Sequence, residues 1–149
     1  MLSQLKTRQA ELHQQYQRYV PLAVKIAPDL EVDEIRDIAK RLIAAEVDAV
    51  IATNTTNSRP ATLQCRQLAG ETGGLSGQPV FEISTQVLRE LTAALDNKIP
   101  VIAAGGISSA EDAKEKIRAG ASLVQVYTGF IYSGPGLIRE CAVALKDIQ

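Results

Sequence analysis

The chain has 149 residues, of which 46% are hydrophobic and 22% charged. This length and composition suffice for one globular domain with a hydrophobic core. A net charge of −1 and 4% aromatic residues provide neither a basic surface nor stacking platforms, so we expect no nucleic-acid partner. Cys65 and Cys141 lie far apart with no secretory signal, which favours reduced thiols in the cytoplasm. No metal-ligand spacing is present, and His13, the only histidine, lies in a polar segment; we expect no metal.

The first half of the chain alternates between helical and strand patterns. A helical apolar period over residues 2–19 predicts an opening helix, and the apolar run 21–27 predicts a buried strand. Residues 32–46 repeat the helical period, and 49–53 form the next apolar run. Residues 54–78 are polar and rich in glycine, so we expect a long functional loop.

The second half contains the unit around which we expect the chain to be organised. After a helix over 83–95, residues 98–129 predict a strand, a Gly105-Gly106 turn, a helix and a second strand. Ser108 or Ser109 stands where a helix N-cap is wanted. A last helix over 137–148 is predicted to close the chain.

These elements define an α/β fold. The apolar runs have no polar alternation, which is typical of parallel strands covered on both faces, so helices are expected to flank the sheet. Right-handed crossovers make the strands parallel. The chain then corresponds to roughly four βα units, half of a TIM (β/α)8 barrel, and residues 98–129 resemble the last two strands of such a barrel.

Two glycine-containing turns follow the last two strands, at Gly105-Gly106 and at Tyr127 to Gly129. Glycines let backbone N–H groups approach a ligand, and such a concavity suits a phosphate. The alternative is that they are turn glycines only. If the first reading holds, a β-branched side chain at Gly106 should occupy the anion's space and abolish binding.

Polar side chains at the ends of the first two strands are further candidates. Lys25 lies inside an apolar strand, where its charge either reaches solvent or meets a ligand. Thr53, Asn54, Thr55 and Thr56 end the second strand, either as a turn or as ligand contacts. The glycines of residues 72–77 allow close approach of a ligand or simply make a flexible loop.

Five segments together resemble the carboxyl-terminal half of dihydroorotate dehydrogenase, and their sequences are most similar to the quinone-linked class. They are KIAPDL from Lys25, IATNTT from Ile51, TGGLSGQP from Thr72, AAGGI from Ala103 and GASLVQVYTGF from Gly120. The resemblance covers essentially the whole chain. It implies an FMN-containing barrel that oxidises dihydroorotate to orotate in pyrimidine synthesis, with quinone as the acceptor.

The resemblance also implies residue roles. Asn54 and Thr55 match the orotate-binding pair. Six residues match FMN contacts: Lys25 and Thr53 at the flavin ring, and Gly77, Gly106, Tyr127 and Thr128 at the phosphate.

Other parts of the family pattern precede these segments and are not found in the 149 residues. They include four strands, the loop serine that acts as the base, and the membrane-associating helices that make the complete enzyme peripheral on the membrane. We therefore assign no catalytic residue and expect the isolated chain to be inactive and to self-associate. A non-catalytic half-barrel that binds a phosphorylated ligand or a partner chain is the alternative. Another phosphate-binding barrel enzyme fits the TNTT and TGGLSG segments poorly.

Overall fold

A computed structural model describes residues 1–61, 63, 68–146 and 148; Cys65 lies outside this part of the chain. The helices and strands follow one another as α1 (Leu2–Tyr16), β1 (Ala23–Ile26), α2 (Val32–Ala44), β2 (Ala49–Ala52), α3 (Phe81–Leu95), β3 (Val101–Ala104), α4 (Ala110–Arg118), β4 (Leu123–Gln125), α5 (Thr128–Ser133) and α6 (Gly136–Lys146). Short 3-10 turns lie at Leu68–Gly70 and Gln78–Val80.

The strands form one parallel sheet in the order β1-β2-β3-β4. Each strand therefore pairs with its neighbour in the chain, as in a (β/α)8 barrel. Lys25 of β1 lies beside Ile51 of β2, which lies beside Ile102 of β3, which in turn lies beside Leu123 of β4. The predicted α/β half-barrel of four βα units is confirmed.

The two faces of the sheet differ in burial. One face carries Val50, Ala52 and Ala103, which are fully buried with Leu42 of α2 and Leu88 of α3 in the main core. On the other face Lys25 and Leu123 are exposed and Ile51 and Ile102 only half-buried.

Helices flank the sheet as predicted, but they cover one face only, so the cover expected on both faces is not found among the described residues. The open face corresponds to the interior of a barrel, which the opposite wall of strands covers when the barrel is complete. Its apolar residues produce the same unbroken pattern in the sequence as a face covered by helices.

Local signals account for most of the helix boundaries. The Ser109 hydroxyl caps α4 by accepting a hydrogen bond from the Asp112 N–H at 3.1 Å, which confirms one of the two predicted N-caps. Gly120 follows the helix with a φ of 103°, a conformation that suits glycine. The opening helix ends at Tyr16, before the predicted residue 19, because Gln17 adopts the left-handed conformation.

The end of the sheet also differs from the prediction. The last strand ends at Gln125, and residues expected to extend it begin the short helix α5 at Thr128. The run GFIYS is apolar enough for either a strand or a helix, so the local sequence does not decide between these two conformations.

Asp48 connects α1 and the segment before β1 to the start of β2. Its carboxylate accepts hydrogen bonds from the Leu22 N–H at 2.7 Å, from the Tyr19 hydroxyl and from the Gln9 amide at 3.1 Å. These bonds, the one from Leu22 foremost, lower the pKa of Asp48 to about 2. The linker between α1 and β1 is thereby fixed beside β2.

Candidate active site at the carboxyl ends of the strands

A cavity of about 940 Å³ lies at the carboxyl edge of the sheet, within the size range of small-molecule sites. It is lined by the ends of all four strands, the loop before α3 and the start of α5. The eight residues that the resemblance matches to FMN or orotate all line this cavity: Lys25, Thr53, Asn54, Thr55, Gly77, Gly106, Tyr127 and Thr128. Thr56, the fourth candidate after β2, is buried and does not line it.

Backbone hydrogen bonds between neighbouring strand ends fix the two residues that follow β2. The Thr53 N–H donates to the Ala104 carbonyl and the Asn54 N–H to the Ile26 carbonyl, both at 2.8 Å. Thr53 is only 2% exposed, and its hydroxyl donates to the Asn54 carbonyl at 2.9 Å. Thr53 and Asn54 therefore occupy fixed positions between the ends of β1 and β3.

The side chains of Asn54 and Thr55 are exposed at the cavity. The Asn54 side-chain oxygen accepts a hydrogen bond from the Thr55 N–H at 2.9 Å, which is the turn geometry considered from the sequence. Within the described part of the chain, the Asn54 NH2 group has no acceptor. The turn and the ligand-contact interpretations are therefore compatible, because the turn leaves two amide donors available.

Lys25 projects from the open face of β1 and is exposed. It both reaches solvent and lines the cavity, so the two alternatives considered from the sequence do not conflict. Among the residues that the structure describes, no carboxylate lies within 4 Å of its ammonium group. Its positive charge is available to a ligand in the cavity.

The turn after β3 presents backbone donors to the cavity. Gly105 and Gly106 have φ values of 113° and 77°, in the region that favours glycine. Gly106 and Ile107 are buried, yet their N–H groups have no acceptor in the described residues. Buried N–H groups normally have a partner, so a turn of this kind is suited to a bound anion.

The start of α5 packs directly on that turn. A Cβ atom at Gly129 would lie 2.2 Å from the Ile107 carbonyl oxygen, so only glycine permits this approach. The first N–H groups of α5 have no acceptor within the helix. The two glycine turns predicted from the sequence are thus neighbours in space.

The expected reason for a defect at Gly106 is wrong. A Cβ atom there would lie 2.5 Å from the Phe81 Cα and 2.6 Å from its nitrogen, at the start of α3. It would not occupy the anion's space. Gly106→Val would therefore disturb the packing of α3 on the turn, and lost anion binding in that variant would not identify the anion site.

The glycine-rich loop covers one side of the cavity. An isolated antiparallel bridge between Thr56 and Leu75, with bonds of 3.1 and 2.8 Å, closes its base. The Thr128 hydroxyl donates to the Ser76 hydroxyl at 3.1 Å and so joins the loop to α5. Gly77 follows Ser76 in this loop, and a Cβ atom added to it would lie 3.1 Å from the Thr128 methyl group.

Asp29 positions the residues after Asn54 and was not identified from the sequence. Its carboxylate accepts hydrogen bonds from the Thr56 hydroxyl, the Asn57 N–H at 2.8 Å and the Ser58 hydroxyl at 3.1 Å. Burial acts to raise the pKa of Asp29, but these hydrogen bonds outweigh it and lower the pKa. The carboxylate is therefore ionised at neutral pH and holds the loop to the end of β1.

Arg59 braces the same loop from within and was also not identified from the sequence. Its guanidinium donates to the carbonyls of Ala69, Glu71 and Gly73 at 3.0, 3.0 and 2.7 Å. Further bonds of 3.2 Å reach the Asn57 and Ser58 carbonyls. A planar five-donor group can join two chain segments in this way, and a lysine cannot.

We expect Arg59→Lys to loosen the loop without unfolding the sheet. Loss of bonds worth about 2 kcal/mol in all would speed amide exchange at Thr56 and Leu75 by roughly 30-fold. NMR-detected hydrogen exchange measures this directly. Arg36→Lys, at an exposed position on α2, is the matched control; equal exchange rates in the two variants would contradict the bracing role.

The fold and the cavity define an α/β protein of the (β/α)8-barrel class, with a ligand-sized site at the carboxyl ends of its strands. The comparisons with known proteins specify the family. The sequence model for dihydroorotate dehydrogenase matches residues 2–148, and the chain belongs to the dihydroorotate dehydrogenase family.

Individual relatives agree with this assignment. The chain is 56% identical over 145 residues to a dihydroorotate dehydrogenase (quinone) from Janthinobacterium sp. (strain Marseille), covering 97% of this chain and 42% of that protein. It is 60% identical over 140 residues to the protein of the same name from Idiomarina loihiensis, covering 94% of this chain and 41% of that protein. The chain thus spans well under half the length of these relatives.

A solved structure shows the same fold. The crystal structure of DHODH from Eimeria tenella in complex with ferulenol superimposes with a TM-score of 0.82 at 43% identity, covering 88% of this chain and 35% of that one. Among the described helices, none is long and apolar enough to cross a membrane.

Proposed function

We propose that the chain is the carboxyl-terminal part of a quinone-linked dihydroorotate dehydrogenase and forms the FMN and orotate half-site of its barrel. The observation that supports this proposal is the convergence of all eight candidate residues on one cavity. Those residues come from the four strand ends and from the loop before α3, so their convergence depends on the fold and not on proximity in the chain.

The residues of the cavity fit FMN at both of its ends. The unpaired N–H groups at Gly106 and at the start of α5 would hold the phosphate, with Gly77, Tyr127 and Thr128 around it. Lys25 and Thr53 would contact the flavin ring, where the ammonium favours negative charge. When bound, FMN supplies the acceptor for the hydride that dihydroorotate loses.

Asn54 and Thr55 would hold the substrate. The Asn54 NH2 group donates, while the Thr55 hydroxyl donates or accepts, and orotate carries a carboxylate and ring carbonyls as acceptors. The fixed backbone of Asn54 would hold the substrate in one position. Such orientation contributes to rate because it removes the cost of aligning the two reactants.

The base that removes a proton from dihydroorotate would come from outside these 149 residues. Of the described residues that line the cavity, Ser76, Ser108 and Ser133 carry hydroxyls, but none of them lies in the part of the family pattern that holds the serine base. The complete protein would pass electrons to quinone at a membrane surface. The chain described here would contribute binding and orientation.

The open face of the sheet favours a second candidate function for the isolated chain, a binding module that pairs with another chain. Leu123 is 61% exposed and Tyr127 73% exposed at the β4 edge. In the absence of a covering wall, self-association would bury them.

Binding of FMN and of riboflavin, which lacks the phosphate, tests the first proposal. We expect FMN to bind at least tenfold more tightly, because the phosphate alone reaches the N–H groups at Gly106. Fluorescence titration of the flavin provides the affinities. Equal affinities would exclude a phosphate site at this turn, and binding of neither flavin would refute the assignment for this chain.

Two lysine variants provide a matched comparison. Lys25→Met should weaken FMN binding by about fivefold, since one charge interaction in a partly exposed site is worth about 1 kcal/mol. Lys40→Met, on the exposed side of α2, should leave it unchanged.

A further inference from the structure

A lysine side chain lies completely buried between α3 and α4. Lys116 is 0% exposed, and its ammonium donates to the hydroxyls of Ser84 and Thr85, both at 2.7 Å, and to the Phe81 carbonyl at 3.3 Å. The same group lies 4.6 Å from the centre of the Phe81 ring. Lysine is almost never fully buried without a specific interaction, so this arrangement requires an explanation.

The hydrogen-bond directions lead from Lys116 to the glycine turn. An ammonium group only donates, so the Ser84 and Thr85 oxygens must act as acceptors toward Lys116. The Ser84 proton is then free for the two carbonyls within reach, Phe81 at 3.0 Å and Gly105 at 3.1 Å. Thr85 donates to Phe81 at 2.7 Å, which leaves Gly105 as the less crowded acceptor for Ser84.

Packing joins the same groups to the turn a second time. The backbone of Phe81 lies against Gly106 so closely that a Cβ atom would not fit between them. Lys116 therefore contacts, through Phe81 and Ser84, both glycines whose turn presents unpaired N–H groups to the cavity.

The charge of Lys116 has no close partner. Among the described residues, no carboxylate oxygen lies within 4 Å of its ammonium. Burial lowers the pKa of Lys116 to about 8; Glu115 and Asp112 on α4 and Glu82 on α3 oppose this shift, while Arg89 on α3 adds to it. The side chain thus changes charge within an accessible pH range.

The helix α6 packs on α4 from another side. Its ionisable residues are Arg139, Glu140, Cys141 and Lys146. Burial raises the pKa of the Cys141 thiol, with Glu140 and Asp112 adding to the effect. Cys141 lies against the Ser109 carbonyl at 3.6 Å, at the start of α4 and away from Lys116.

We propose that Lys116 is the buried counter-charge and the positioning residue of the anion site at the Gly105-Gly106 turn, so that a bound anion and the protonated lysine stabilise each other. This inference rests on the phosphate site in the proposed function. It adds a residue outside the cavity that sets how tightly the turn binds an anion.

The wild-type protein provides the first test. NMR titration of the Lys116 Cε and Hε signals yields its pKa with and without saturating inorganic phosphate. We expect phosphate to raise the pKa by about one unit, because the anion favours the charged form. An unchanged pKa in the presence of bound phosphate would overturn the proposal.

The second test compares affinities for inorganic phosphate at pH 7.5 and pH 9.5 by calorimetry. A one-unit rise from about 8 corresponds to roughly sixfold weaker binding at the higher pH. Lys116→Met should bind phosphate more weakly at pH 7.5. It should also lack the roughly sixfold weakening between pH 7.5 and pH 9.5 that the titration of Lys116 causes. All other ionisable groups, phosphate included, are common to both proteins, so the difference between the two pH profiles isolates Lys116.

Control variants separate the charge from the packing. Lys114→Met, on the same helix and paired with Glu111, should behave as the wild type. Ser84→Ala removes the link to Gly105 but keeps the charge, so it should weaken binding while retaining the pH dependence. If the affinity for phosphate depends on pH in the same way in the wild type and in Lys116→Met, the inference fails and the phosphate site stands. If phosphate does not bind the wild type, both fail.

Discussion

A protein made of these 149 residues alone is expected to form no measurable orotate from dihydroorotate, even with FMN and a quinone supplied. A general base contributes about 10²–10⁴ in rate, and misplacement of the reacting groups costs a comparable factor. Both losses apply because the loop serine that serves the family as base and half of the barrel wall belong to the part of the family pattern that is not found in these 149 residues. The combined loss of at least about 10⁴ would bring turnover below detection.

The measurement is orotate formation by preparations free of host enzyme. Co-expression with the portion of the Idiomarina loihiensis relative that this chain does not cover is the positive control, since the covered part is 60% identical. Recovery of activity in that mixture would assign the missing groups to the other portion. Orotate formation by the chain alone would show that a base exists within it.

The sheet was predictable from the sequence because its determinants are local. Short apolar runs separated by amphipathic helices allow few arrangements other than consecutive parallel strands. Strand ends then fall at one edge, so residues as distant as Lys25 and Thr128 could be assigned to one site before any contact was known. The eight candidates line a single cavity for this reason.

The positioning residues were not predictable in the same way. Asp29, Arg59 and Lys116 act through contacts with residues 29, 14 and 35 positions away at the furthest, respectively. In the sequence Lys116 is one of several charged residues of an ordinary amphipathic helix, and its complete burial follows from how α4 packs beside α3. The open face of the sheet, by contrast, follows from the half-barrel interpretation, because the interior of a barrel loses its opposite wall when half of the strands are absent.

The isolated chain is expected to be a dimer or a larger assembly at low micromolar concentration. Edge strands β1 and β4 each have a neighbour on one side only, and unpaired N–H and C=O groups at such edges pair readily with another chain. A twofold arrangement could place the β1 edge of one copy against the β4 edge of the other and cover both open faces. Light scattering should then give at least twice the chain mass of 16.0 kDa.

A charge placed on the open face should separate the copies. Leu123 is 61% exposed, so Leu123→Lys removes little from the core, whereas a lysine buried between two sheets without a partner is strongly unfavourable. We expect this variant to be a folded monomer, and Leu12→Lys, on α1 and outside the sheet, to remain associated. A monomeric wild type with native circular dichroism would show that the open face tolerates water, because the half-buried Ile51 and Ile102 are then sufficiently covered within one copy.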